Sequence, residues 1–245
     1  MAATQLSTPR ERSASISLSR LRTLLVLGFF FLLAAHIGAM YVRHGLGFYL
    51  AKGLVPLFHF DSEFNFPTFY SVTLMGLCSL ALMKICQLGD TPSKDRAAWF
   101  LLSVLFAFLA ADELFSIHEF IDQSIRGTLQ TEGVFHFAWV IPYGILLVLL
   151  AVLLLPWFLR QPRRLQVMFA IAGTLYIGGA LGLEMVGGNY YSGLDPDRAE
   201  YATLTGDIIS SFEEIGEILG LSLFLYTLAA HLRKGEETAE PPPPA

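Results

Sequence analysis

The chain consists of long apolar blocks separated by short polar segments. Six blocks reach the roughly 20 apolar residues that a helix needs to cross the hydrocarbon core of a bilayer. The pattern therefore predicts an all-α integral membrane protein, built as a bundle of six transmembrane helices. The predicted spans cover approximately residues 21–42, 67–86, 98–121, 137–159, 165–187 and 206–232.

The two ends of the chain and one connection differ from these blocks. Residues 1–20 are rich in Ser, Thr and Arg, while residues 233–245 are acidic and contain four consecutive prolines. Both segments are predicted to be disordered tails. Residues 45–66, between the first two spans, are aromatic and apolar, but their apolar run is too short and too broken to span. We expect this segment to be interfacial or re-entrant on the outer side.

The basic residues predict the orientation of the bundle. With the N-terminus inside, 12 of the 16 Lys and Arg residues fall on the cytoplasmic side, as the positive-inside rule requires. The sequence thus predicts a multi-pass protein of the cell inner (plasma) membrane with both termini in the cytoplasm. The acids follow the opposite pattern, since 15 of the 21 Asp and Glu residues lie in outer loops or within spans.

Composition limits the classes of function and partner. The chain is 54% hydrophobic and 15% charged, which excludes a disordered protein. Its net charge of −5, without a large basic cluster, argues against a nucleic-acid partner. The lipid bilayer is the expected partner. A lipid or a small ion as substrate, and an oligomer or a membrane complex as assembly, remain open.

Several acids and histidines fall inside the predicted spans, where ionisable groups are costly and usually mark ion or proton sites. Helical spacing would place Asp112 and Glu119 within about 20° of each other on the third span. The candidate metal ligands, from spans 1, 3, 5 and 6, are His36, Asp112, His118, Glu119, Glu184, Glu213, Glu214 and Glu217.

No Lys or Arg lies deep in any predicted span, so these carboxylates must bind metal, share protons, pair with histidine or contact water. The expected cofactor is a divalent metal ion, and Mn, Fe, Zn, Ca and Mg are not distinguished. The residue types resemble the ligand set of di-iron or di-manganese carboxylate bundles in composition, although their Glu-x-x-His motif is missing here.

Two small-residue motifs predict a close approach of spans 5 and 6. They are Gly178-x-x-x-Gly182 and Gly216-x-x-x-Gly220, a spacing that lets helix backbones touch. Such contact would bring Glu184 toward the acids of span 6.

Three classes of function fit these features. A one-sided membrane metalloenzyme or binding module is favoured. A transporter would be expected to have internal repeats and a polar path on the inner side, and the sequence shows neither. A cation- or proton-coupled transporter or channel is the first alternative, and a non-catalytic assembly or sensory subunit is the second. The sequence does not decide whether the protein is an enzyme, and it identifies no catalytic residue.

Overall fold

The computed structural model describes residues 17–89, 91–194 and 203–239, with side chains described as far as residue 235. These residues form helices and connecting turns, and no strand occurs among them. The α-helices are α1 (Leu18–Met40), α2 (Leu54–Phe58), α3 (Phe66–Gln87), α4 (Ser93–Phe115), α5 (Ile117–Leu129), α6 (Val140–Arg160), α7 (Arg163–Ile177), α8 (Glu184–Ser192) and α9 (Leu204–Ala239).

Six helical segments are long and apolar enough to cross a membrane, which confirms the predicted number and the all-helical class. Two of them include π-helical turns: Tyr41–Gly45 extends α1, and Gly178–Leu183 joins α7 to α8. The first helix begins at Leu18, inside the predicted N-terminal tail. The last helix extends to Ala239, past the predicted start of the C-terminal tail at 233. The rest of both tails, 1–16 and 240–245, lies outside the described residues.

The helix predicted over 98–121 divides at Ser116, and this corrects the helical-face argument made from the sequence. Ser116 adopts a left-handed conformation, with φ 48° and ψ 45°, so α4 ends at Phe115 and α5 starts in a new direction. Such a conformation costs a non-glycine residue about 1–3 kcal/mol. The side chain of Asp112 offsets part of this cost by accepting a 2.8 Å hydrogen bond from the backbone N–H of His118. Asp112 and Glu119 therefore do not share one continuous helical face.

The connection between α1 and α3 contains no membrane-length helix. It includes a short 3₁₀ turn at Ala51–Gly53 and the five residues of α2. Asn65 then caps α3, since its side chain accepts a 2.9 Å hydrogen bond from the backbone N–H of Thr68. The same side chain donates to the backbone carbonyl of His59 at 2.6 Å, which fixes this connection against the start of α3.

The apolar core lies among α3, α4, α7 and α9, with the end of α6 added to it. Ser79 of α3 and Ser103 of α4 each donate a side-chain hydrogen bond to the other's backbone carbonyl, at 2.8 and 2.9 Å. Trp99 packs edge-on against Trp157 of α6, with ring centroids 4.9 Å apart. These contacts bury bulky side chains where α4 begins and α6 ends.

Glycines allow α9 to lie directly against α7. A Cβ atom on Gly220 would stand 2.7 Å from the backbone nitrogen of Tyr176, and one on Gly216 would stand 3.0 Å from the carbonyl oxygen of Leu175. The close approach predicted from the glycine motif of span 6 is therefore confirmed. The partner glycine is Gly179, not the predicted Gly178 and Gly182, which have open space around them.

Charged pairs mark the two ends of the bundle. At one end, where α4 begins and α6 ends, Arg160 donates to Asp95 with an Nη2 to Oδ1 distance of 2.7 Å. This is called the Asp95 end. The opposite end, where α1 ends and α9 begins, contains the buried Asp207 and is called the Asp207 end.

Candidate metal centre

A cavity of about 370 Å³ lies between the helices and is acidic along one part of its wall. Helices α4, α6, α7 and α9 contribute to it, together with α8, the start of α5 and the chain just before α3. Seven carboxylates and one histidine line this part, which is named the acidic cavity: Glu63, Asp112, Glu113, His118, Glu184, Glu213, Glu214 and Glu217. Among the described residues, no Lys or Arg lines the cavity.

Asp112 connects three helices at the wall of this cavity. Its Oδ1 atom accepts hydrogen bonds from the hydroxyl of Tyr143 at 2.9 Å and from the backbone N–H of His118 at 2.8 Å. Its Oδ2 atom lies 3.5 Å from Nδ1 of the His118 ring. One buried carboxylate thus holds α4, the start of α5 and α6 in a fixed relation, and it also orients the imidazole.

His118 carries the one imidazole among the described residues that line the acidic cavity. Burial lowers the pKa of His118, but contact with Asp112 and the negative charges of Glu113 and Glu63 outweigh it and raise the pKa to about 9. The ring also packs against Trp139, with centroids 5.2 Å apart. The surrounding carboxylates therefore favour a positive charge at this position, whether a proton or a metal ion supplies it.

Glu63, His118 and Glu119 offer ligand atoms that all lie within 4.8 Å of one another. Both glutamates are exposed, so this group stands at the entrance of the acidic cavity. The hydroxyl of Ser116 donates a 3.0 Å hydrogen bond to Oε2 of Glu63. The left-handed turn at Ser116 therefore serves the site, because it points its own hydroxyl and the His118 ring toward the same carboxylate.

The deeper carboxylates come from α8 and α9. Oε1 of Glu184 accepts a 2.9 Å hydrogen bond from the indole N–H of Trp139. Glu213, Glu214 and Glu217 project from α9 into the same cavity. Within the described parts of the chain, none of these four acids pairs with Lys or Arg. A group of this kind cannot be fully ionised in a low-dielectric setting unless a cation balances it.

Seven of the eight sequence-predicted ligands fall in or beside the acidic cavity, and one does not. Six line it, namely Asp112, His118, Glu184, Glu213, Glu214 and Glu217, and Glu119 stands at its entrance.

His36 is the exception, and both of its ring nitrogens have partners elsewhere. Nδ1 accepts a 3.1 Å hydrogen bond from the backbone N–H of Phe60, so Nε2 carries the proton and donates to the hydroxyl of Ser211 at 2.8 Å. The ring also stacks on that of Phe60. His36 holds the α1–α3 connection against α9 and does not line the acidic cavity.

Sequence reasoning left Glu63 and Glu113 out of the ligand set. Glu63 lies two residues before the cap of α3, and an antiparallel hairpin places the start of α3 beside the end of α4. Recognising Asn65 as the cap of α3 would therefore have indicated that Glu63 lies close to the acids at the end of α4. No sequence feature indicated that Glu113 lines the cavity, because the orientation of its side chain depends on where α4 ends.

A second polar group lies at the Asp207 end and was also missed as a group. Oδ2 of Asp207 lies 2.7 Å from Nε2 of His44, 3.2 Å from Nε2 of His59 and 3.1 Å from Nε of Arg43. The side chain of Asp207 is fully buried. These four residues are called the Asp207 network, and they tie α1 and the α1–α3 connection to the start of α9.

Fold and site together define an all-helical chain with six helices long enough to span a membrane and a cavity lined by Glu, Asp and His between them. The chain belongs to the family described as a domain of unknown function (DUF8692), which matches residues 23–232. No curated protein and no solved structure matches the chain.

Proposed function

We propose that the protein binds a divalent metal ion in the acidic cavity, as a one-sided metalloenzyme or binding module of the cell inner membrane. The observation that carries this proposal is the collection of seven carboxylates and one imidazole on one cavity wall, to which no Lys or Arg of the described residues contributes. Oxygen ligands with one imidazole suit Mn, Fe and Zn, and the oxygen ligands alone suit Ca and Mg.

The proposed place of the protein is a multi-pass position with both termini in the cytoplasm. Six helices of sufficient length and apolar character support this assignment. The excess of Lys and Arg near the Asp95 end supports the orientation, since Arg96, Arg160, Arg163 and Arg164 all lie there. The acidic cavity then opens toward the outer side.

Site-directed labelling tests the orientation. We expect a cysteine at the exposed Ser124 of α5 to react with an impermeant maleimide added to intact cells, and a cysteine at the exposed Ser93 to react only after lysis. Both variants would carry Cys86→Ala, because the thiol of Cys86 is partly exposed. The reverse pattern would overturn the orientation.

A coupled transporter is less well supported, because the rest of the cavity wall is apolar. Below the carboxylates the lining consists mainly of Leu, Phe, Ala and Gly side chains, and among the described lining residues no acid, base or amide continues toward the Asp95 end. An ion leaving in that direction would lose its ligands in a dry environment, at a cost of several kcal/mol. The arrangement favours a site that is entered and left from one side.

Metal analysis of the detergent-purified protein tests the proposed function. After equilibration with each candidate metal and removal of free ions, we expect bound metal in the wild type and at least a tenfold loss of affinity in a Glu213→Gln/Glu217→Gln variant. Glu132→Gln is the matched control, since Glu132 is exposed and outside the cavity. A wild type that retains no metal, or a double variant that retains it fully, would overturn the proposal.

A further inference from the structure

The cavity continues beyond its carboxylates as an apolar arm. On α4 its lining extends from Asp112 back to Leu102, ten residues and therefore about 15 Å along the helix axis. Other helices complete the arm with apolar side chains, among them Leu147, Phe169 and Phe224. One end of the cavity is thus strongly polar, and the other end offers only dispersion contacts.

The arm is not sealed on the side of α6. A second cavity shares Leu102, Leu147, Phe169 and Gly173 with the first and reaches Trp157, so the apolar space runs on between α4, α6 and α7. Only Val140 and Trp157 of the 21 residues of α6 are buried. In a bilayer, lipid chains would face this opening, since the exposed side of α6 consists mainly of Leu, Val and Ile.

We propose that the cavity binds a single-chain lipid whose alkyl chain fills the apolar arm and whose oxygen-bearing head group coordinates the metal ion. This inference rests on the proposed metal function. The polarity of the cavity supports it, because a small polar substrate would leave the arm unfilled and a plain hydrocarbon would leave the carboxylates unmatched. The volume of about 370 Å³ is in the range of ordinary ligand pockets, which is enough for one alkyl chain and its head group.

Glycine positions offer a clean way to fill the arm. Gly173 of α7 lines both cavities, and a Cβ atom added there would meet nothing within 4 Å. A leucine at this position should therefore enter the arm without displacing backbone. Gly76 of α3 also has open space around it but lines neither cavity, so Gly76→Leu is the matched control.

The test compares two probes that share a metal-binding head group. Lauroyl hydroxamate carries a long alkyl chain, and acetohydroxamate carries only a methyl group. We expect metal-loaded wild type to bind lauroyl hydroxamate at least tenfold more tightly than acetohydroxamate. Gly173→Leu should remove this difference while retaining its metal and its affinity for acetohydroxamate, and Gly76→Leu should behave as the wild type. Ala151→Phe, on the α6 wall of the arm, provides a second blocking variant.

The outcomes separate the two proposals. If the wild type binds metal but both hydroxamates bind equally, or if both blocking variants keep the preference for the long chain, the lipid inference is overturned and the metal function stands. If the wild type holds no metal, the proposed function falls, and the head-group coordination falls with it.

Discussion

Two groups of acids on α9 lie close together in the chain but have opposite surroundings. Asp207, at the start of the helix, faces Arg43, His44 and His59. Glu213 and Glu217, about two and three turns further along, face other carboxylates in the acidic cavity. The Asp207 network contains its own balancing charge, whereas the acidic cavity has an excess of negative charge. The Asp207 network therefore ties helices together, whereas no Lys or Arg among the described residues balances the charge of the acidic cavity.

The comparison predicts that removing charge has opposite consequences in the two places. Removing one member of a buried ion pair destabilises the fold, because the other charge is then buried without its counter-charge. A carboxylate among other carboxylates repels its neighbours and so destabilises the empty site. The same carboxylate stabilises the site once a cation is bound. The following variants test this contrast.

The largest effect is expected for Asp207→Asn. Neutralising this fully buried carboxylate leaves Arg43, whose side chain is only 16% exposed, without its counter-charge. We expect the free energy of unfolding to fall by about 3–5 kcal/mol, measured by denaturant unfolding in detergent. Asp95→Asn is the control, since its partner Arg160 is 39% exposed and the loss should be about 1 kcal/mol or less. Equal losses in the two variants would remove the special role of the Asp207 network.

Glu214→Gln should act in the opposite direction on the metal-free protein. Replacing one cavity acid by a neutral group of the same shape removes repulsion, so we expect unfolding at about pH 8 to require roughly 1–3 kcal/mol more free energy. The metal-loaded protein should instead lose part of the stabilisation that the ion provides. Glu132→Gln, exposed and outside the cavity, should change neither value by more than about 0.5 kcal/mol. Destabilisation of the metal-free protein would contradict the contrast.

Gly220→Ala tests whether packing, and not charge, positions the acids of α9. The added Cβ would stand 2.7 Å from the backbone nitrogen of Tyr176 and 2.8 Å from the carbonyl oxygen of Ala172, so α7 and α9 must separate. We expect a loss of about 1–3 kcal/mol in stability, with weaker metal binding. Gly182→Ala, where an added Cβ meets nothing within 4 Å, should be neutral or stabilising by up to about 1 kcal/mol. Unchanged metal affinity in Gly220→Ala would show that the acids need no such contact.

The smallest effect concerns His136, a histidine that faces a cation. Its Nε2 atom lies 3.2 Å from Nη2 of Arg126 and accepts a hydrogen bond only when neutral. Partial burial and the charge of Arg126 lower the pKa of His136 below its usual 6.5, so the unfolded chain takes up this proton more readily than the folded one. Stability from this residue is complete above about pH 6.5 and is lost as the pH falls below it. Thermal unfolding of His136→Gln should show a shallower decline between pH 7 and 5.

The sequence was sufficient for the features that depend on local composition. Six apolar blocks and an acid-rich α9 follow directly from residue type, and two of the candidate residues on α9, Glu213 and Glu217, line the acidic cavity. The break at Ser116 could not be predicted, because Ser116 and Asp112 reach partners that are distant in the chain, Glu63 and Tyr143. The position of His36 outside the acidic cavity could not be predicted for a related reason. An isolated histidine in a helix carries no sign of which backbone group will reach its ring.

Asp112 gives the site a thermodynamic link to helices outside it. The same carboxylate caps α5, accepts the hydroxyl of Tyr143 on α6 and borders the cavity. A ligand that binds this carboxylate would therefore change the stability of the contacts that hold α5 and α6. By thermodynamic linkage, a change in those contacts would alter the affinity for the ligand by the same factor. A binder that fixes α5 in its present position would alter the ligand's dissociation constant without touching the ligand. Ligand binding in the cavity and the position of α5 would thus be thermodynamically coupled through Asp112.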